Sequence, residues 1–285
     1  MIWLLEQDTF GYSYFNAHRE MCEAVVSSGY KVIEHKKLMY GKSLEFPGEY
    51  EIVLDSLIAR GSIDFIRTCQ KCHFFPGDWV NWPQLTFCHA ALIFGKEMLN
   101  NDFVVLPYKE LKRRRGQMRK IFGYKLFLRP DSGMKQFAGH AASVDEYELL
   151  RNPVNCGDSQ LVIVASAKPI AAEYRVLVVD GKCVAASRYM VNHELYMSAL
   201  VPHGVMEYVD DLLKDGVADN FPAVFIIDVA ESAEGDYKIL EVNGFNCSEL
   251  YMMDYSKVVE AVSQVAYREK LESPPISFNS PRVTP

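Results

Sequence analysis

The sequence predicts a mixed α/β (α+β) fold, and three observations carry that prediction. Apolar runs of strand length occur at residues 2–5, 125–129 and 223–230. Longer stretches, such as 14–26 and 205–218, place apolar residues at helical spacing. Asp180-Gly181 and Glu234-Gly235 each sit between two apolar runs, the mark of a hairpin turn. With 285 residues, 49% of them hydrophobic and 24% charged, the chain is long enough for a substantial core and has ordinary globular composition.

Taken in order, residues 2–5 are the first expected strand. The helix over 14–26 carries Phe15, Met21, Cys22 and Val25, and Gly29 stops it. Residues 30–35 are a second strand. The apolar stretch 51–60 is broken by Gly61-Ser62 and leads into a helix over 63–72. Residues 74–82, dense in aromatics, Pro and Gly, read as a loop, and 83–99 as another helix. A small α/β domain, residues 1–102, is expected to close here.

Beyond it come a strand at 104–106, a basic helix at 108–121 and a strand at 125–129 that runs into Pro130-Asp131-Ser132-Gly133. Strands follow at 161–165, 174–179 and 183–189, the last two joined through Asp180-Gly181. An amphipathic helix at 205–218 precedes the hairpin of 223–230 and 237–242, and 257–270 is the last helix. The tail, residues 273–285, holds four prolines and little to pack, and disorder is expected there.

Several classes are disfavoured. The first ten residues lack a basic segment and turn acidic after five positions, unlike a signal peptide. No run of about 18 apolar residues suggests a membrane span, so a cytoplasmic protein without a membrane partner is expected. Seven cysteines, an odd and scattered set, read as reduced thiols. A net charge of −7 argues against a general nucleic-acid coat. The run 109–120 does carry seven basic residues. It reads as a solvated helix face, with a nucleic-acid-linked substrate as the alternative.

The second hairpin holds the chemistry. Asp228 lies as far before the Glu234-Gly235 centre as Glu241 lies after it, so a symmetric hairpin sets the two side chains opposite each other. Asn243 shares their face by the two-residue period of a strand. Ile226 and Ile239, expected as apolar neighbours on that face, leave the two acids in need of a positive partner. Magnesium, a hard cation that takes oxygen ligands, answers that need. The other reading is an exposed face with solvated acids, and a one-residue slip in register removes the metal seat.

These residues resemble the ATP-grasp superfamily, whose last strand pair carries an Asp on one strand and a Glu-x-Asn on the next. "FIIDVAES" followed by "KILEVNGFNCSELY" matches that pair. The resemblance implies two lobes with ATP between them, preceded by a small α/β domain, and magnesium held by Asp228, Glu241 and Asn243. It covers roughly residues 103–270, the core being set at 103–272. In the family a small-residue loop follows a strand ending in Lys-Pro. Here "KLFLRPDSGMKQFAG" has Arg129 in place of that lysine and Lys135 six residues later, which resembles a phage-associated clade with a relocated lysine. Gly133 and Gly139 would let the backbone approach phosphates, and Arg129 or Lys135 would offset their charge.

The resemblance further implies that the backbone of Val164, Ala165 and Ser166 holds adenine, with Lys168 nearby. Arg175 and Arg188, at similar heights on their hairpin, match arginines that contact the transferred phosphate and an acyl-phosphate. Glu173 is counted with the nucleotide site or as a partner of one arginine. The implied activity is that of an ATP-dependent ligase joining a carboxylate to an amine, on a small molecule, peptide or protein end. A kinase, or a non-catalytic nucleotide-binding interaction protein, is the alternative, and oligomeric state is open. The loop "ARGSIDF" is the expected substrate contact of the first domain.

Other motifs carry less. Cys69-x-x-Cys72-His73 with Cys88-His89 lacks a second well-spaced pair and reads as helix-face packing before metal binding. Phe74, Phe75, Trp79 and Trp82 read as packing between domains. Cys247 has no histidine partner that would make it a nucleophile.

Overall fold

The computed structural model describes residues 1–10, 15–37, 56–143 and 157–272. Tyr14 at the head of the first expected helix, residues 51–55 of the apolar stretch and the tail 273–285 lie outside them.

The first sheet is parallel, in the order β2-β1-β3-β4, from β1 (Ile2–Glu6), β2 (Lys31–His35), β3 (Leu57–Arg60) and β4 (Pro76–Gly77). Two helices accompany it, α1 (Ala17–Ser27) and α2 (Ile63–Lys71). Each begins at a polar cap: the Asn16 side chain accepts from the Arg19 amide and Ser62 from the Phe65 amide, satisfying donors a helix leaves open.

The helix expected over 83–99 is three pieces. A 3-10 turn spans Trp82–Leu85, α3 spans Phe87–Phe94, and a second 3-10 turn spans Gly95–Glu97. Thr86, extended, caps α3 and so cannot continue the helix before it, and Gly95 at φ +54° ends it. The helix expected over 205–218 likewise stops: α5 covers His203–Leu212, and left-handed Gly216 leads into a 3-10 turn at Val217–Asn220.

The second sheet is antiparallel, ordered β5-β8-β6-β7, from β5 (Val104–Pro107), β6 (Lys125–Pro130), β7 (His140–Ser143) and β8 (Leu161–Ser166). The basic helix α4 (Tyr108–Phe122) covers it through Tyr108, Leu111 and Met118, packed on Leu126, Leu128, Val162 and Val164. Its charges face outward, where Glu110 pairs with Arg113 and Arg114 and Lys112 with Asp158.

The third sheet runs β11-β10-β9-β12-β13, all antiparallel: β9 (Ala172–Val179), β10 (Lys182–Val191), β11 (Glu194–Ser198), β12 (Val224–Glu231) and β13 (Tyr237–Gly244). Strands β7 and β11 were not expected: both are short, and the apolar content of "HAAS" and "ELYMS" is too low to announce a strand. One face of this sheet packs against α5 and the segment around α3 through Val176, Val178, Phe225 and Ile227. The other packs against the last helix, α6 (Tyr255–Glu272), and the first sheet, with Leu177, Val224 and Ile226 meeting Trp3, Leu5, Phe245 and Val258.

The first sheet is thus welded to the end of β13. Asn246, fully buried, donates its Nδ2 to the carbonyls of Ala59 and Gly77, both at 2.7 Å, and its Oδ1 accepts from the Trp79 amide at 3.2 Å. Trp79 packs edge-on against Phe245 and donates to Glu269, so the aromatic loop is packing, as its composition suggested. Asn246→Ala strands two buried carbonyls and one amide, each costing about 1–3 kcal/mol. A loss of roughly 3 kcal/mol in urea unfolding is expected, and a change under about 1 kcal/mol would show that this asparagine does not join the sheets.

Candidate active site

Strands β9, β12 and β13 lie side by side, and their registers set three charged residues in one row: Arg175 opposite Asp228, and Asp228 opposite Glu241. The hairpin reaches that pairing by an unexpected route. Near its turn the register is Glu231 with Tyr237, Ala230 with Lys238 and Val229 with Ile239, and continued without a break it would set Asp228 against Leu240. A bulge at Leu240 inserts one residue and brings Glu241 opposite Asp228 instead. It also turns Ile239 to the other face, with Val229, contrary to the expected apolar neighbour; Ile226 stays on the side of the acids.

Both acids are held by cations. Arg175 grips fully buried Asp228 with two bonds, Nε to Oδ1 at 2.8 Å and Nη2 to Oδ2 at 2.7 Å, and donates Nη1 to the Glu249 carbonyl at 2.8 Å. Its guanidinium also lies between the stacked rings of Tyr189 and Tyr251, 5.3 and 5.1 Å from their centroids. Glu241 takes Arg129 Nη1 at 2.8 Å and Lys135 Nζ at 2.9 Å. Burial alone would raise the Glu241 carboxyl, but Lys135 and Arg129 outweigh it and hold the group well below the usual carboxylate range. The Asn243 amide bridges the pair, Nδ2 donating to Asp228 Oδ2 at 2.9 Å and to Glu241 Oε1 at 3.0 Å.

Around this row the chain leaves polar atoms without partners. Arg129, 4% exposed, has an unpaired Nε, and Asn100, 2% exposed, an unpaired Oδ1. Next to the row, Glu173, Met190 and Leu240 line a cleft of about 470 Å³ whose far wall is the second sheet, with Phe127, His140 and Lys168. The volume is that of a small-molecule site. Asn100 lines this cleft too; its place in "MLNND" had marked only a domain end.

The loop 131–139 arches from β6 toward the row. Ser132 Oγ accepts from the Met134 amide and the Gln136 side chain, and Lys135 takes a left-handed φ of +44° that points the chain back to Glu241. At Gly133 a side chain would meet Leu85 Cβ at 2.8 Å, so this glycine seats the loop on the 82–85 turn. Gly139 faces Phe127, which a side chain there would meet at 3.0 Å.

The hinge residues Val164 and Ala165 are buried in β8. Ser166 Oγ donates to Asp102 Oδ2 at 2.5 Å, and Lys168 pairs with the same carboxylate. Glu173 accepts from Tyr189 Oη at 2.5 Å; burial and the acids of the row push its carboxyl up.

Arg188 is not brought to Arg175. Arg175 pairs with Ser187, so Arg188, opposite Tyr174, projects from the reverse face of the sheet and stacks on Tyr196 at 4.8 Å. Tyr189 and Ser187, its neighbours, are the ones on the Arg175 side, as their bonds to Glu173 and to the Met252 amide show. The expectation of two guanidiniums on one anion is therefore corrected by one residue of register.

The donor set fits a hard divalent cation. Asp228, Glu241 and, after a half-turn of its amide, Asn243 offer oxygens that converge within hydrogen-bond distance. The described residues also contain His18, Cys22 and Glu34 within 4.8 Å of one another, bonded as His18 to Glu34 at 2.7 Å and Cys22 to His18 at 3.5 Å. Cys69 is buried and Cys72 exposed, and they join no such group among the described residues.

An antiparallel sheet with paired acids on its last hairpin, a second sheet across a cleft and a cationic loop between them define an ATP-grasp protein. The model of one ATP-grasp domain family, the third of its clade, matches residues 97–262, and the chain belongs to that family of ATP-dependent enzymes. Solved structures agree in fold. D-cycloserine synthetase DcsG is 13% identical, with 93% of this chain and 100% of that one covered at a TM-score of 0.61. A RimK domain ATP-grasp protein from Sphaerobacter thermophilus DSM 20745 is 11% identical, covering 93% and 99%, also at 0.61. The macrocyclase MdnC, bound with precursor peptide MdnA from Microcystis aeruginosa MRC, is 13% identical, covering 94% and 100% at 0.53. No curated protein matches the sequence. No helix among the described residues is long and apolar enough to cross a membrane.

Two measurements probe this geometry. Arg175→Met leaves Asp228 buried and unpaired, which costs about 3–5 kcal/mol; urea unfolding should show that loss, and Asp228→Asn added to it should restore part. Glu173, whose carboxyl titrates above its usual range, favours the folded state at low pH and loses that contribution as pH rises through the raised value. Glu173→Gln should therefore raise the melting temperature at about pH 8 and leave it nearly unchanged at about pH 4.

Proposed function

We propose that the protein is an ATP-dependent carboxylate–amine ligase acting through an acyl-phosphate. The observation that carries this reading is the row Arg175–Asp228–Glu241 with Asn243, held at the rim of a nucleotide-sized cleft by Arg129 and Lys135. Three cations face two acids there. The surplus of positive charge suits a polyphosphate.

The parts divide as follows. The cleft below Val164, Ala165 and Ser166 takes adenine, near Lys168 and Glu173. Arg129 and Lys135 exchange Glu241 for phosphate oxygens, with the loop of Gly133 around them, and Arg175 keeps Asp228 aimed. Asp228, Glu241 and Asn243 would hold magnesium, which when bound offsets charge on the phosphate oxygens. A substrate carboxylate oxygen attacks the γ-phosphorus and ADP leaves. An amine then attacks the acyl carbon, losing a proton, and phosphate departs with the C–O bond electrons. No protein nucleophile takes part: Cys247, the thiol nearest the acids in sequence, is pushed up to about 11 by burial.

The division into a first α/β domain at 1–102 and a core at 103–272 belongs to this reading, as does a cytoplasmic setting. The neighbours, a synthetase named for D-cycloserine and a macrocyclase bound with a precursor peptide, support a substrate that is a small molecule or a peptide.

Calorimetry with Mg–AMPPNP should show Asp228→Ala and Glu241→Ala each weakening binding at least tenfold; unchanged affinity in both would sink the metal seat. Mass spectrometry of extract incubated with enzyme and ATP should reveal condensation products. Phosphorylated products without an amide would instead make it a kinase.

A further inference from the structure

Arg60 ends β3 at the carboxyl edge of the parallel first sheet, where open α/β sheets take their ligands. It is 4% exposed. One Nη2 donates to the Ser248 carbonyl, and the guanidinium stands 4.7 Å from the Phe245 ring centroid and 5.2 Å from that of Phe10. Its Nε is buried with no partner, and no carboxylate among the described residues pairs with it. Two aromatic faces and one carbonyl offset only part of the cost of burying a cation; burial pulls the guanidinium down to about 10. Arg175, as deeply buried, has its bidentate acid, so Arg60 lacks what its neighbour possesses.

Position connects Arg60 to the chemistry. Arg60 and Arg175 donate to consecutive carbonyls, those of Ser248 and Glu249, so an anion on Arg60 would lie beside the charged row. The cavity next to it is walled by Glu6, Phe10, His18, Glu249 and Tyr255 and has room for about 10 Å³, one water at most. Phe10 fills the rest. Glu6 is occupied by the Ser62 amide at 2.6 Å and the Thr9 hydroxyl at 2.5 Å. Glu249, on the opposite wall, suits an ammonium, and two acids in the wall disfavour a doubly charged phosphate.

We propose that Arg60 binds the carboxylate of a small amino-acid substrate, whose ammonium faces Glu249, and that the Phe10 ring keeps the place until the ligand displaces it. The inference rests on the ligase reading for its chemistry and on Arg60 alone for its site.

The test is thermal-shift titration of the full chain with each of the twenty L-amino acids and with their amides, which lack the carboxylate, with and without Mg–AMPPNP. At least one amino acid should stabilise the wild type saturably while its amide does not. Arg60→Gln, its fold checked by circular dichroism, should weaken that binding at least tenfold, Arg60→Lys less so, and Phe10→Ala should tighten it. If no amino acid shifts the wild type, if the amide shifts it equally, or if both Arg60 variants bind as the wild type does, the proposal is overturned. Failure of the wild type to bind Mg–AMPPNP would sink the ligase reading instead, and the titration without nucleotide would still decide Arg60.

Discussion

Two carboxylates set directly opposite each other on adjacent strands, one of them sealed from water, are the constraint to which the rest of the molecule answers. Their repulsion and lost hydration are tolerable only because Arg175, Arg129 and Lys135 reach them. Each cation comes from a different part of the chain: the central strand β9, the end of β6 and the loop after it. The second sheet and its loop are thus tied to the third by charge, with the cleft left open beside the ties.

Much of this was legible because strand periodicity and turn chemistry are local. The acids were found by counting from Glu234-Gly235, and the count gave the right pair although the turn itself is registered one residue differently, since the Leu240 bulge makes up the difference. The same counting failed for Ile239 and for Arg188, where a single residue of register decides which face a side chain takes. Bulges leave no clear trace in a single sequence. The broken helix at 83–99 was missed because Thr86 and Gly95 are visible as breakers only once one knows that the flanking segments turn.

Asn246, Asn100 and Arg60 were illegible for another reason. Each is a lone polar residue in an apolar context, and its meaning lies in partners, or in their absence, that the local chain does not reveal. Ala59 and Gly77 meet Asn246 across more than a hundred and sixty residues of sequence. The segment 245–250 collects these contacts, joining the first sheet through Asn246, Arg60 through Ser248 and Arg175 through Glu249. Geometry set in one sheet is therefore felt in the other.

Trp3 on β1 lies in one core with Val258 and Val262 of α6 and donates its indole N–H to Ser263, 260 positions later. On a translating ribosome, which adds about 5–20 residues each second, that strand must wait some tens of seconds for the helix that covers it. During this interval its apolar face is a natural client for a chaperone.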